Sequence, residues 1–136
     1  MKSTWVDSGF LVALGIESDP RHRAARAFLN NHAGKLLVPE PVIVETCFFL
    51  TTAGKVRLLD WVRKAPRSVH SVPAQAYPDL GEILTRYADL DLDFTDAAIV
   101  WLAGRSGCHS ILTVDVRDFS AVRLAKGKRF DLVKWF

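Results

Sequence analysis

The sequence predicts an α/β domain in three layers, a parallel sheet with helices packed on both faces. Two observations carry that prediction. Five short runs of strand character (STWV at 3–6, KLLV at 35–38, SVHSV at 68–72, SILTV at 110–114, FDLV at 130–133) alternate with longer stretches of helical pattern. Strands separated by helices pair parallel, through crossovers rather than hairpin turns. No internal repeat, low-complexity tract or linker divides the 136 residues, which predicts one domain over 1–136.

Local chemistry justifies each element in turn. Strand 3–6 gives way at Asp7-Ser8-Gly9 to an apolar helical stretch, Phe10–Ile16. Ser18-Asp19-Pro20 is a helix start, since a capping side chain precedes a proline whose fixed φ suits the first turn. That helix runs over RHRAARAFLNNH to Gly34, with Ala24, Ala27, Phe28 and Asn31 on its inner face. After strand 35–38, Pro39-Glu40-Pro41 opens a helix that Gly54 ends. Lys55–Lys64 then forms an amphipathic helix with Val56, Leu59, Trp61 and Val62 inward. Pro66 precedes strand 68–72, and Pro78 marks the first turn of a helix reaching Ala88, striped by Leu80, Ile83, Leu84 and Tyr87. Thr95–Arg105 is the last helix, with Asp93 placed to cap it and Gly107 to stop it. Strands 110–114 and 130–133 complete the sheet.

Composition sets the class. Hydrophobic residues make up 49% of the chain and charged residues 24%, the globular range. No apolar run reaches the ~18 residues that span a bilayer. The start, MKSTWVDSGFLVALGIESD, carries Asp7 inside its apolar stretch and shows no small-residue cleavage site. The expectation is a mature cytoplasmic protein with no membrane partner. Cys47 and Cys108 lack the spacing of a zinc site and are expected to be reduced core residues. The net charge is +3 and the pI about 9.1. Basic residues gather at 21–26, 55–67 and 117–129. A basic exterior suits a polyanion, although each cluster alone is equally a solvated helix face.

Four acids stand against this background: Asp7 in TWVDSGF, Glu45 in PVIVETCFFL, Asp96 in LDFTDAAIVWLA and Asp115 in ILTVDVRDF. A carboxylate on a buried face is costly without a partner. Three of the four neighbourhoods hold no Lys, Arg or His; only the last holds one, Arg117. Asp7 and Asp115 each follow a strand, where ligands of open parallel sheets bind. Asp96 is equally explained as an acid in the first turn of a helix. Glu45 has Pro41, Val42, Phe48 and Phe49 at helical spacing, so it is paired inside or lines a cleft. Two carboxylates about 4 Å apart repel by roughly 4 kcal/mol at an effective dielectric near 20. A cluster must therefore take up protons or hold cations. Oxygen-only ligands suit Mg²⁺ or Mn²⁺, which also accept phosphate oxygens. Ser8 and Thr113 are short hydroxyls placed to orient a carboxylate or a water.

VDSGFLVAL, PVIVETCFFL, YADLDLDFTDAAIVWLA and ILTVDVRDF, in this order and spacing, resemble the four acidic motifs of PIN domains, in particular the VapC-type toxins of bacterial toxin–antitoxin pairs. The likeness covers nearly the whole chain. It implies a five-stranded parallel sheet in the order 3-2-1-4-5 and a Mg²⁺- or Mn²⁺-dependent endoribonuclease. It also implies a homodimer and inhibition by a small VapB-like antitoxin. Asp7, Glu45, Asp96 and Asp115 match the catalytic, metal-holding positions, and Thr113 a hydroxyl near the metal. Asp118 matches a frequent supporting acid, and Asp89, Asp91 and Asp93 are left as loop and cap residues. Arg117, Lys128 and Arg129 are the candidate contacts to RNA, and helix Lys55–Lys64 with Trp61 is the candidate partner surface.

Two other readings remain open on the residues. A response-regulator-like phosphoacceptor needs a lysine near the end of the last strands, and only Lys134 is available. A non-catalytic RNA- or partner-binding module would keep the fold without turnover. Acetyl phosphate labelling tests the first, and RNA binding without cleavage would mark the second. The four histidines share no ligand spacing, and Trp5, Trp61, Trp101 and Trp135 serve the core or an interface.

Overall fold

The computed structural model describes residues 2–136. Its sheet has five parallel strands in the order β3-β2-β1-β4-β5: β1 Thr4–Val6, β2 Leu36–Pro39, β3 Arg67–His70, β4 Ser110–Leu112 and β5 Asp131–Leu132. This is the predicted architecture, and all five predicted strands are present. β1 is central, fully buried, and pairs Trp5 with both Leu37 and Ile111. The chain leaves β1 toward β2 on one side and returns to β4 on the other, so the strand order reverses beside β1. That reversal opens a crevice at the carboxyl ends of β1 and β4.

Seven helices cover the sheet: α1 Ser8–Gly15, α2 His22–Asn31, α3 Glu40–Cys47, α4 Thr52–Val62, α5 Tyr77–Arg86, α6 Phe94–Ser106 and α7 Val116–Ala121. The core joins Trp5, Phe10, Leu36, Ile99, Ile111, Leu112 and Phe119, each at most 2% exposed. α6 contributes most to it, burying Ala97, Ala98, Ile99 and Ala103 completely. Trp135 is also buried, packed edge-on against Phe10 at 5.0 Å.

The structure corrects several sequence-level expectations. Gly54 does not end a helix. α3 stops at Cys47, a turn follows, and Thr51 caps α4 by accepting the Gly54 N–H at 3.1 Å. Val62 faces inward as expected, but Val56 and Leu59 face outward at 61% and 53% exposure, and Gly54 and Leu58 take their place on the inner face. Close approach sets that face, since a Cβ at Gly54 would lie 3.3 Å from Leu50 Cβ. On α2 the buried residue is Ala25, while Ala27 and Asn31 are exposed. Helix α7 is an addition, and β4 ends at Leu112 rather than at Val114. Cys47 and Cys108 are both unpaired and half-buried. No helix among the described residues is long and apolar enough to cross a membrane.

Candidate active site

Asp7 leaves β1 directly and caps α1. Its Oδ1 accepts the Ser8 N–H at 2.8 Å, and its Oδ2 accepts the Thr113 hydroxyl at 2.8 Å. It is 7% exposed, and among the described residues no Lys, Arg or His pairs with it. Burial raises its pKa from 3.8 to about 6; the two hydrogen bonds oppose this, and the charges of Glu45 and Asp115 add to it.

Thr113 ties two acids together. Besides donating to Asp7, its Oγ1 accepts the Asp115 N–H at 2.9 Å. Its carbonyl accepts the Trp135 indole N–H at 3.1 Å, so the buried ring braces the segment from behind. The absence of a side chain at Gly9 lets this segment pass close to α1, because a Cβ there would lie 2.6 Å from Val114 Cγ2. Thr113→Val leaves Asp7 Oδ2 and the Asp115 N–H each without a partner, with only the Ser8 N–H still on the carboxylate. The expected loss is about 1–3 kcal/mol in urea unfolding, larger at pH 8, where Asp7 is charged, than at pH 5. Thr113→Ser, which keeps the hydroxyl, is expected to recover most of it. Equal, small losses at both pH values would contradict the bridging role.

The other acids arrive from separate elements. Glu45 lies on α3, half-buried, and its Oε1 accepts the Ser8 hydroxyl at 3.1 Å. Phe48 and Phe49 around it are 79% and 64% exposed, so Glu45 sits at the edge of a cleft and not inside an apolar face. Asp93 and Asp96 form a reciprocal cap on α6: Asp93 Oδ1 accepts the Asp96 N–H at 2.8 Å, and Asp96 Oδ2 accepts the Asp93 N–H at 3.1 Å. Burial, then the charge of Asp93, pushes the Asp96 carboxyl up to about 8, against the Asp93 N–H bond. Asp115 opens α7, and its pKa is raised by burial and then by the neighbouring charge of Asp118.

These side chains meet. Asp7, Glu45, Asp96 and Asp115 all line one cleft of about 320 Å³, with Ser8, Asp93, Asp19 and Arg21 on its walls. No lysine lines it, so the phosphoacceptor reading finds no support in its walls. Among the described residues, no three Asp, Glu, His or Cys side chains stand close enough to hold an ion between them as they are. Asp7, Glu45 and Asp96 are instead each drawn onto a hydroxyl or an amide. The donor set is nonetheless oxygen-only, and burial raises Asp7, Asp96 and Asp115 toward protonation, which fits a hard divalent cation.

The remaining sequence-predicted residues lie elsewhere. Arg117 is exposed on α7, and Asp118 stands beside Asp115 outside the cleft lining. Lys128 and Arg129 precede β5, whose Asp131 pairs with Ser110 at the start of β4. They therefore occupy the amino ends of parallel strands, the pole opposite the cleft. Three charged wall residues, Asp19, Arg21 and Asp93, escaped the sequence reading. Asp93 was explained by its cap alone, and Arg21 was hidden in a basic cluster whose Asp19-Pro20 prelude signalled only a helix start.

Comparison with known proteins agrees with this fold. The chain is 28% identical over 132 residues to ribonuclease VapC26 of Mycobacterium tuberculosis, covering 94% of this chain and 98% of that protein. It shares its fold with the crystal structure of M. tuberculosis VapC20, a toxin described as cleaving the sarcin–ricin loop. That likeness has a TM-score of 0.77 at 21% identity and covers 84% of this chain and 91% of the other. A family model described as PIN domain matches residues 5–124, a span that holds all four acids. The chain belongs to the PIN-domain family.

Proposed function

We propose that this chain, as a single domain over 1–136, is a Mg²⁺- or Mn²⁺-dependent endoribonuclease, the toxin of a toxin–antitoxin pair. One observation carries the reading: four acids from four separate segments line one cleft, and three of them are held toward the protonated form by burial. Asp7, Glu45, Asp96 and Asp115 are the residues that would hold the cation. A bound divalent ion supplies positive charge at a phosphodiester oxygen and makes water acidic enough to attack near neutral pH. Asp7 is fixed by Ser8 and Thr113, so its carboxylate is oriented before any ligand arrives. Ser8 links Asp7 to Glu45, making these two acids a unit. A cation held there would favour the ionised forms of Asp7 and Asp96, against the burial that raises them.

RNA as substrate and a small VapB-like antitoxin as partner follow from the likeness to VapC-type proteins, as do a homodimer and cytoplasmic residence. The outer face of α4 supports the placement of a partner there, since Val56 and Leu59 expose apolar surface on it. Incubation with RNA in Mg²⁺, in Mn²⁺ and with a chelator tests the activity. Cleavage with either ion and none with chelator is the expected result; cleavage that survives chelation would end the metal assignment. RNA bound but never cut would favour the non-catalytic module.

A further inference from the structure

Six carboxylates line the cleft, and one basic side chain, Arg21, lines it with them. Among the described residues its guanidinium forms no ion pair with any of the six. An arginine loose beside so many acids would settle onto one. It rests instead over the Phe136 ring, 4.6 Å from the centroid. Held over the ring face, and with no hydrogen bond from its side chain among the described residues, the guanidinium keeps its planar fork of N–H donors unspent. We infer that Arg21 is an anchor for a backbone phosphate of the nucleic acid entering the cleft, an assignment that rests on the ribonuclease reading.

The seat under Arg21 is tied to the acids. Phe136 packs edge-on against Trp135 at 4.9 Å, and the Trp135 indole N–H donates to the Thr113 carbonyl at 3.1 Å. Thr113 in turn holds Asp7. On the other side, the Arg21 N–H donates to Asp19 Oδ1 at 2.8 Å, and His22 Nδ1 lies 2.8 Å from the Ala13 carbonyl of α1, the helix that Asp7 caps. Arg21 is thus positioned from two directions relative to the carboxylates. A phosphodiester approaching a purely acidic cleft is repelled, and a planar donor pair at its edge gives the two non-bridging oxygens of one phosphate a bidentate partner. Lys128 and Arg129, at the far pole of the sheet, have no such relation to the cleft.

Two measurements test the assignment. The first is anisotropy of a short fluorescein-labelled single-stranded RNA against salt, in an Asp7→Asn background that prevents cutting. The second is steady-state cleavage with Asp7 intact. Arg21→Ala is expected to reduce the slope of log Kd against log salt by about one. It should also raise KM by roughly tenfold while kcat stays within about twofold, because the contact is made before and during reaction alike. Arg21→Lys should keep the slope but regain only part of the affinity, as a point charge without the fork. Phe136→Leu should weaken binding with the slope retained. An unchanged slope and KM in Arg21→Ala would overturn the anchor while leaving the nuclease reading intact. So would an Arg21→Ala protein that loses stability at pH 8 with its slope unmoved, since that marks a neutraliser of the acids. A chain that binds RNA through Arg21 without ever cutting supports the anchor and ends the nuclease reading; one that neither binds nor cuts overturns both.

Discussion

Converting Asp7, Asp96 or Asp115 to asparagine, or Glu45 to glutamine, is expected to lower metal-dependent RNA cleavage by more than about a hundredfold. That exceeds the ~10–100-fold lost when only the support of a metal ligand is disturbed. The four come from β1, α3, α6 and the start of α7, so no local unfolding explains a shared loss. Each substitution is close in shape, and stability can be followed alongside rate. Asp89→Asn, exposed in the loop before α6, is the matched control and should cleave at the native rate. A member of the four that kept native turnover would be removed from the cation set. Losses confined to Asp7 and Glu45, the pair joined by Ser8, would move the site to that side of the cleft.

Stability in the presence of chelator should fall as pH rises from about 4 to 8. The direction follows from the acids: Asp7 moves from 3.8 to about 6 on folding, so the folded state holds its proton longer than the unfolded chain. Stability is fully present below pH 4 and is lost as pH passes through 6. At ~1.4 kcal/mol per pH unit, Asp7 alone accounts for about 3 kcal/mol. Asp96, raised to about 8 and partly solvated, extends the loss in the same direction to higher pH. Asp7→Asn should remove the Asp7 part, raising stability at pH 8 and leaving it nearly unchanged below pH 4, where Asp7 is neutral anyway. Mg²⁺ or Mn²⁺ should flatten the profile of the native chain, because a cation takes the place of the protons. Urea unfolding across this range checks it; a flat profile in chelator would show that the acids are relaxed by solvent rather than poised for a cation.

The parallel sheet was legible because its strands are short and separated by helical stretches, with β1, β2 and β4 fully buried. Asp7 and Asp115 were legible as acids where such strands end, and Glu45 as an acid that its apolar neighbours could not accommodate. What remained hidden depends on contacts between distant segments. Thr51, a good capping residue, lies beside Gly54, and only the packing of Leu50 against that glycine decides which of them governs the helix. The inward face of α4 follows from the same approach, so a stripe of Val56 and Leu59 pointed the wrong way. α7 is six residues long, too short to show a period. Arg21 could not be separated from Arg23 and Arg26 until Phe136, at the far end of the chain, was seen beneath it.

The mutual cap between Asp93 and Asp96 sets two uses of one carboxyl group in competition. Asp96 Oδ2 secures the first turn of α6, the longest helix, whose next residues run into the centre of the molecule. Any demand made on that oxygen from the cleft is felt as slack in a structural rod. Occupancy of the cleft and the tightness of the interior are therefore parts of one balance, and amide exchange at the head of α6 would report on both.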